Sequence, residues 1–149
     1  MITQIDNSEP WRRLVWPSVG RTTPYKAGRQ QSIADSIPIT VEFSYKPTDP
    51  FAINAVFAGI KWLLSRDLIH DVIAGTVSNT AGQDVNITVD NSWTRFDLSS
   101  PTGSAAVWVD SEQLAEFLFT TYVLVPAGVE TTLIDWDHEL AALLGGAWS

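Results

Sequence analysis

Two histidines, seventeen carboxylates and no cysteine bound the chemistry open to this chain. Without cysteine there is no disulfide, no thiolate nucleophile and no thiolate metal site. His138 lies in Asp135-Trp136-Asp137-His138-Glu139. On a helix, Asp135 and His138 share a face and offer two metal ligands. A metal site needs at least one more convergent ligand, and none is evident, so the segment reads as an acidic, solvated first helical turn. His70, in Leu68-Ile69-His70-Asp71-Val72, reads as a histidine at the edge of a strand or helix. No G-x-x-x-x-G-K, G-x-G-x-x-G or G-x-S-x-G motif occurs. Two carboxylates could form a glycoside-hydrolysing pair, but their separation is set by the fold. No catalytic residue, metal or cofactor is assigned, and the chain reads as a non-enzyme.

Seven tryptophans could suit a carbohydrate surface or a protein interface. Trp62 and Trp108 fall inside predicted strands and Trp136 on an apolar helical stripe, which favours core packing for all three. Trp11-Arg12-Arg13-Leu14-Val15-Trp16 combines aromatics with arginine. Trp11, Arg12, Arg13 and Trp16 are therefore candidate partner-binding residues of an arm; equally, the arm could fold onto its own domain or a neighbouring subunit. Charge is uneven. Up to Asp35 five basic residues face three acidic ones, whereas from Ser36 onward fourteen acids face four bases. An acidic body is a poor footprint for nucleic acid, whose recognition rests on neutralising phosphate.

The elements that would position these groups follow from pattern. Residues 1–36, broken by Pro10, Pro17 and Pro24, read as a partly disordered N-terminal arm, with the ordered domain at residues 37–149. Ile39 to Tyr45 alternates as a strand. Pro47-Thr48-Asp49-Pro50 turns into a strand over Phe51 to Ala58, and Gly59 marks a hairpin into Ile60 to Ser65. Leu68 to Val77 is ambiguous and is taken as a strand. Val85 to Val89, Trp93 to Leu98 and Ala105 to Val109 complete the sheet. Asp110 or Ser111 caps a helix that buries Leu114, Phe117, Leu118 and Thr121. Val125-Pro126-Ala127-Gly128 ends it. Thr132 caps a second helix with a Leu133, Trp136, Leu140, Leu143, Leu144 stripe. The fold class is α+β: an antiparallel sheet followed by two C-terminal helices. No apolar run is long enough to cross a membrane, and the N-terminus lacks a signal-peptide pattern.

From Pro38 onward the chain resembles the SsgA-like proteins, sporulation and cell-division regulators of actinobacteria. Thr48-Asp49-Pro50-Phe51-Ala52-Ile53 is similar to their D-P-Y-A-V signature. Trp62 and Ser65-Arg66-Asp67-Leu68 are similar to W-x-F-(A/G)-R-x-L-L, with Leu63-Leu64 where the family has Phe. Gly82-Gln83-Asp84-Val85 resembles G-D-V, and Ser100-Pro101-Thr102-Gly103-Ser104-Ala105 the S-P-x-G-x-A turn. Phe117-Leu118 with Thr121, then Val125-Pro126-Ala127-Gly128-Val129-Glu130, resemble F-L-x-x-T and V-P-x-G-x-E.

The resemblance implies a Whirly-like fold, a homotrimer, no cofactor and no catalysis. It implies a cytoplasmic protein acting at the division septum, partnered by cell-division proteins including the tubulin-like ring protein FtsZ, and touching membrane only indirectly. Asp49, Pro50, Trp62, Arg66, Pro101, Gly103, Pro126 and Gly128 are expected to be structural. Two rival readings remain: a single-stranded nucleic-acid binder, which the acidic surface opposes, and a cell-wall-related enzyme using two carboxylates.

Overall fold

The structure is a computed structural model that describes residues 4–6, 13–24, 32–76, 84–101 and 103–130. Its strands are β1 (Gln4–Asp6), β2 (Arg13–Pro24), β3 (Ile37–Tyr45), β4 (Ala52–Phe57), β5 (Ile60–Ser65), β6 (Val85–Asp90), β7 (Trp93–Ser100) and β8 (Gly103–Asp110). Helix α1 (Arg66–Ala74) follows β5 and helix α2 (Ser111–Leu124) follows β8. Every pairing is antiparallel, in the order β5-β4-β3-β2-β8-β7-β6, with β1 lying on β2. The predicted α+β class and antiparallel sheet are present. The predicted second C-terminal helix, with Thr132, Asp135, Trp136, His138 and its leucines, lies outside the described residues.

The main correction concerns the N-terminus. The segment read as an arm contains β2, the central strand of the sheet. β2 pairs with β3 from Leu14 to Thr22 and with β8 from Arg21 to Pro24, so among the described residues it is the strand that joins the β3-β4-β5 meander to the β6-β7-β8 meander. Its residues alternate as a strand should: Leu14 and Trp16 are buried, Val19 faces out. The prolines mislead because of where they fall. Between Val15, the last residue paired with β1, and Arg21, the first paired with β8, β2 has β3 on one side only. Pro17 sits in that stretch, where a missing N–H costs no ladder bond on the open edge. Arg21 is spent internally: Nε donates to Ser36 Oγ at 2.6 Å and Nη2 to the Ser36 carbonyl at 2.7 Å. Gly20 permits the close packing of this centre. A Cβ there would lie 2.7 Å from Val41 Cγ2 and 2.9 Å from the Trp108 carbonyl.

A second correction is α1, read as a strand over Leu68 to Val77. Ser65 caps it, its hydroxyl accepting from the Leu68 N–H, and Gly75 ends it in the left-handed conformation at φ 81°. Arg66, Ile69 and Val72 are buried at helical spacing. The Gly59 hairpin is as expected: Ala58 and Gly59 both have positive φ, the signature of a two-residue turn matched to strand twist. The α2 cap is also as expected, Asp110 Oδ1 accepting from the Gln113 N–H at 3.0 Å.

The core is an aromatic cluster spanning both meanders. Trp16 stacks on Phe43 at 5.1 Å and on Phe117 of α2 at 5.8 Å; Phe57 meets Phe96 at 5.4 Å. Burying side chains of this size is worth roughly 1.5–3 kcal/mol each. A variant beginning at Ser36 loses β2, Trp16 and the link between the meanders. It is expected to lack a cooperative thermal transition by circular dichroism; a sharp native-like transition would show that β2 is dispensable.

Candidate functional site

One buried cation organises the helical side of the molecule. Arg66 is fully buried at the first position of α1. Its Nη1 donates to the carbonyls of Thr121, at 3.1 Å, and Val125, at 2.8 Å. These lie at the C-terminal end of α2, where the helix dipole is negative; the Thr121 carbonyl also accepts from the Val125 N–H at 2.8 Å. Its Nη2 lies 3.5 Å from Glu130 Oε1, an ion-pair distance too long for a hydrogen bond. The guanidinium also lies over two rings, 4.0 Å from the Tyr122 centroid and 5.1 Å from that of Tyr45.

Each partner is held in turn. Tyr45 donates its hydroxyl to the Pro50 carbonyl at 2.9 Å, and the Arg66 N–H bonds the Phe51 carbonyl at 2.9 Å. The Asp49-Pro50-Phe51 turn is thereby strapped to the start of α1. Gly128, at φ 91°, donates its N–H to Glu130 Oε1 and aims that carboxylate at Arg66. Tyr122 donates its hydroxyl to Asp67 at 2.7 Å. Burial pushes the Tyr45 hydroxyl up from 10.0 to about 12, with the nearby Arg66 opposing the shift. Tyr122 is also raised, by burial and by its bond to Asp67.

Of the residues singled out from sequence, Arg66 and Pro50 are brought together with the loop that carries Pro126 and Gly128. Trp62 and Gly103 instead line a separate cleft of about 270 Å³ at the hairpin end of the sheet, next to exposed Pro101. The proposed partner-binding set does not hold as a surface. Trp16 is completely buried, because β2 turns it into the core, and Arg13 is half-buried at the start of that strand; Trp11 and Arg12 lie outside the described residues. Trp108 is buried and Trp62 half-buried, in keeping with core packing. His70 is an exposed helix-edge residue, with Nδ1 3.1 Å from Asp71 Oδ1 and its ring edge-on to Tyr122. No cluster of three or more metal-ligating side chains occurs among the described residues.

Sequence reading missed the surface beside Arg66. α1 and α2 flank an open groove of about 770 Å³, with Ile73, Ala115 and Leu118 on its floor, Phe119 at its side and Asp67 and Asp71 at its edge. α2 buries Leu114, Phe117, Leu118 and Thr121 as expected. It also presents Phe119 and Val123 outward, 70% and 65% exposed, one turn apart. The signal was available: apolar residues run around the whole of α2 instead of forming one stripe.

An antiparallel sheet with a helix after each meander, locked by a buried arginine among the motif residues, is the frame expected of the SsgA-like division proteins. The comparisons agree. Residues 39–130 match the SsgA family, Streptomyces sporulation and cell division protein, and the chain belongs to that family. It is 33% identical over 140 residues to the sporulation-specific cell division protein SsgB of Thermobifida fusca, covering 83% of this chain and 96% of that one. It is 34% identical over 117 residues to SsgB of Saccharopolyspora erythraea, covering 73% and 81%. Among solved structures, an SsgA-like sporulation-specific cell division protein from Thermobifida fusca superposes with a TM-score of 0.71 at 28% identity, covering 91% of this chain and 98% of that one. An SsgB linked to longitudinal cell division during sporulation of Streptomyces coelicolor superposes at 0.70 and 24% identity, covering 85% and 99%.

Arg66→Ala leaves the buried Glu130 without its counter-charge and the Val125 carbonyl without this donor, and is expected to cost roughly 3–5 kcal/mol. At this size that lowers the melting temperature by about 10–20 °C. The Arg66→Met, Glu130→Gln double variant is expected to recover part of the loss; equal melting of wild type and Arg66→Ala would refute the central role. Because the folded-state value of Tyr45 is raised, its contribution is complete below about pH 10 and is lost as pH climbs toward 12. The melting temperature should fall over that window, and less steeply in Tyr45→Phe; identical slopes would assign the fall to other groups.

Proposed function

We propose that this chain is a non-enzymatic regulator of sporulation-specific cell division that acts through protein–protein contacts. It works in the cytoplasm at the division septum, assembles as a homotrimer, and engages the division machinery, including the tubulin-like ring protein FtsZ. It meets the membrane only through such partners. Membership of a family of sporulation and cell-division proteins supports the setting. The observation that carries the mode of action is the exposed apolar strip of Phe119 and Val123 beside the α1–α2 groove. Apolar surface next to a concavity is the physical signature of a protein-binding face. The motif residues Pro50, Arg66 and Gly128, by contrast, are used up inside the frame. No helix among the described residues is long and apolar enough to cross a membrane.

Light scattering on the purified full-length chain is expected to return about three times its 16.4 kDa mass. Co-sedimentation with assembled FtsZ polymer is expected to carry the protein into the pellet. A monomer that stays in the supernatant would overturn the reading.

A further inference from the structure

The α1–α2 groove has an apolar floor and an acidic rim, and the charge around it is one-sided. The exposed charged side chains of the two helices are Asp67, Asp71, Glu112 and Glu116, with His70 beside them. The single arginine of the pair, Arg66, is buried and committed to Glu130 and to the carbonyls of α2. No lysine occurs on either helix. On the floor, Ala74 and Ala115 are small enough to let a backbone approach closely, and Phe119 stands at the side as an exposed aromatic anchor. A volume of about 770 Å³ is of the right order for the apolar side chains of one short helix. The groove's lining runs from Asp67 to Ala74 on α1 and from Ala115 to Tyr122 on α2, a track of about 12 Å.

We propose that this groove is the docking site for an amphipathic helix of a partner protein, apolar on one face and flanked by lysine or arginine. The proposal rests on the protein-binding reading above and names the surface and the chemistry of the partner. Helix-in-groove recognition places anchors at i, i+3, i+4 and i+7 onto such a floor, while complementary rim charges set orientation and association rate. Charge selects among the candidate occupants. The chain's own residues 131–149 carry an apolar stripe, but Asp135, Asp137 and Glu139 would meet Asp67 and Asp71 as like charges. A second copy's own α1 and α2 carry the same acidic side chains and no lysine, so they match this rim poorly. A basic-flanked helix from another protein satisfies both the floor and the rim.

The test uses full-length protein and two synthetic helices of about four turns, each with a leucine stripe, one flanked by lysine and one by glutamate. By fluorescence anisotropy the lysine-flanked helix is expected to bind and to weaken as salt is raised, while the glutamate-flanked helix binds at least about tenfold less tightly. Phe119→Asp is expected to cost about tenfold or more, and Asp71→Lys about fivefold. Both side chains are exposed, so unchanged melting curves will show the fold intact. Equal binding of the two helices, or an unaltered affinity in Phe119→Asp, would overturn the proposal. So would a gain of about tenfold in Trp136→Asp, which would mean the chain's own C-terminal segment fills the groove, or peptide binding that appears only when the trimer is dissociated, which would mean a second copy does. Co-sedimentation separates the two levels. If FtsZ polymer carries down wild type and Phe119→Asp alike, the groove fails and the regulator reading stands. If it carries down neither, that reading fails and the peptide affinities still decide the groove.

Discussion

The arrangement of the helical half depends on a buried guanidinium. An uncompensated charge in an apolar interior costs several kcal/mol, so Arg66 must be surrounded by acceptors and rings or the fold does not form around it. The chain meets that demand from three separate places. The β3–β4 turn supplies Pro50 to hold Tyr45, α2 supplies two terminal carbonyls and Tyr122, and the loop after α2 supplies Glu130. A planar guanidinium can donate to both carbonyls through Nη1, approach Glu130 with Nη2 and lie against the Tyr122 and Tyr45 rings, which lysine's compact ammonium could not do. Because the partners are far apart in sequence, the arginine fixes the angle of α1 against α2, and hence the width of the groove between them.

β2 plays the equivalent part in the sheet. Two antiparallel meanders, each followed by a helix, have no reason to share a core unless a strand bridges them. β2 does so along twelve residues, and it carries Trp16 into the ring cluster where both meanders and α2 meet. Gly20 lies at the tightest point of that bridge, with Val41 on one neighbour and the Trp108 carbonyl on the other. The frame is thus held by one strand in the sheet layer and one side chain in the helical layer. Phe119 and Val123 lie outside that frame, exposed on α2 and not packed into the core.

The motif residues identify the family because most of them are spent on the frame. Pro50, Arg66, Gly128 and Glu130 are spent on internal contacts. Trp62 and Gly103 line a smaller cleft at the far end of the sheet. Positions that turn the backbone or bury a charge are tightly specified by physics, whereas a docking groove needs only apolar area and the right sign of charge. A protein of this kind is recognised by its scaffold.

The sequence by itself determined the elements whose signals are local: the strands from β3 to β8 by their alternation, the Ala58-Gly59 hairpin by its glycine, and the start and buried face of α2 by Asp110 and the Leu114, Phe117, Leu118, Thr121 spacing. It also determined the family, because the motif series is a record of turns and caps in fixed order. α1 was misread because a short apolar run is compatible with both periods, although Ser65 and Gly75 bracket it as a helix. β2 was misread because three prolines and five basic residues mark a loop in any local window. Only pairing to β3 and β8 shows that Pro17 falls on an open stretch of strand edge and that Arg21 is satisfied by Ser36. The Arg66 cluster and the groove were decided by the tertiary structure alone. They are made of residues dozens of positions apart, and the energy of burying a charge or exposing a phenylalanine depends on what the fold places beside it.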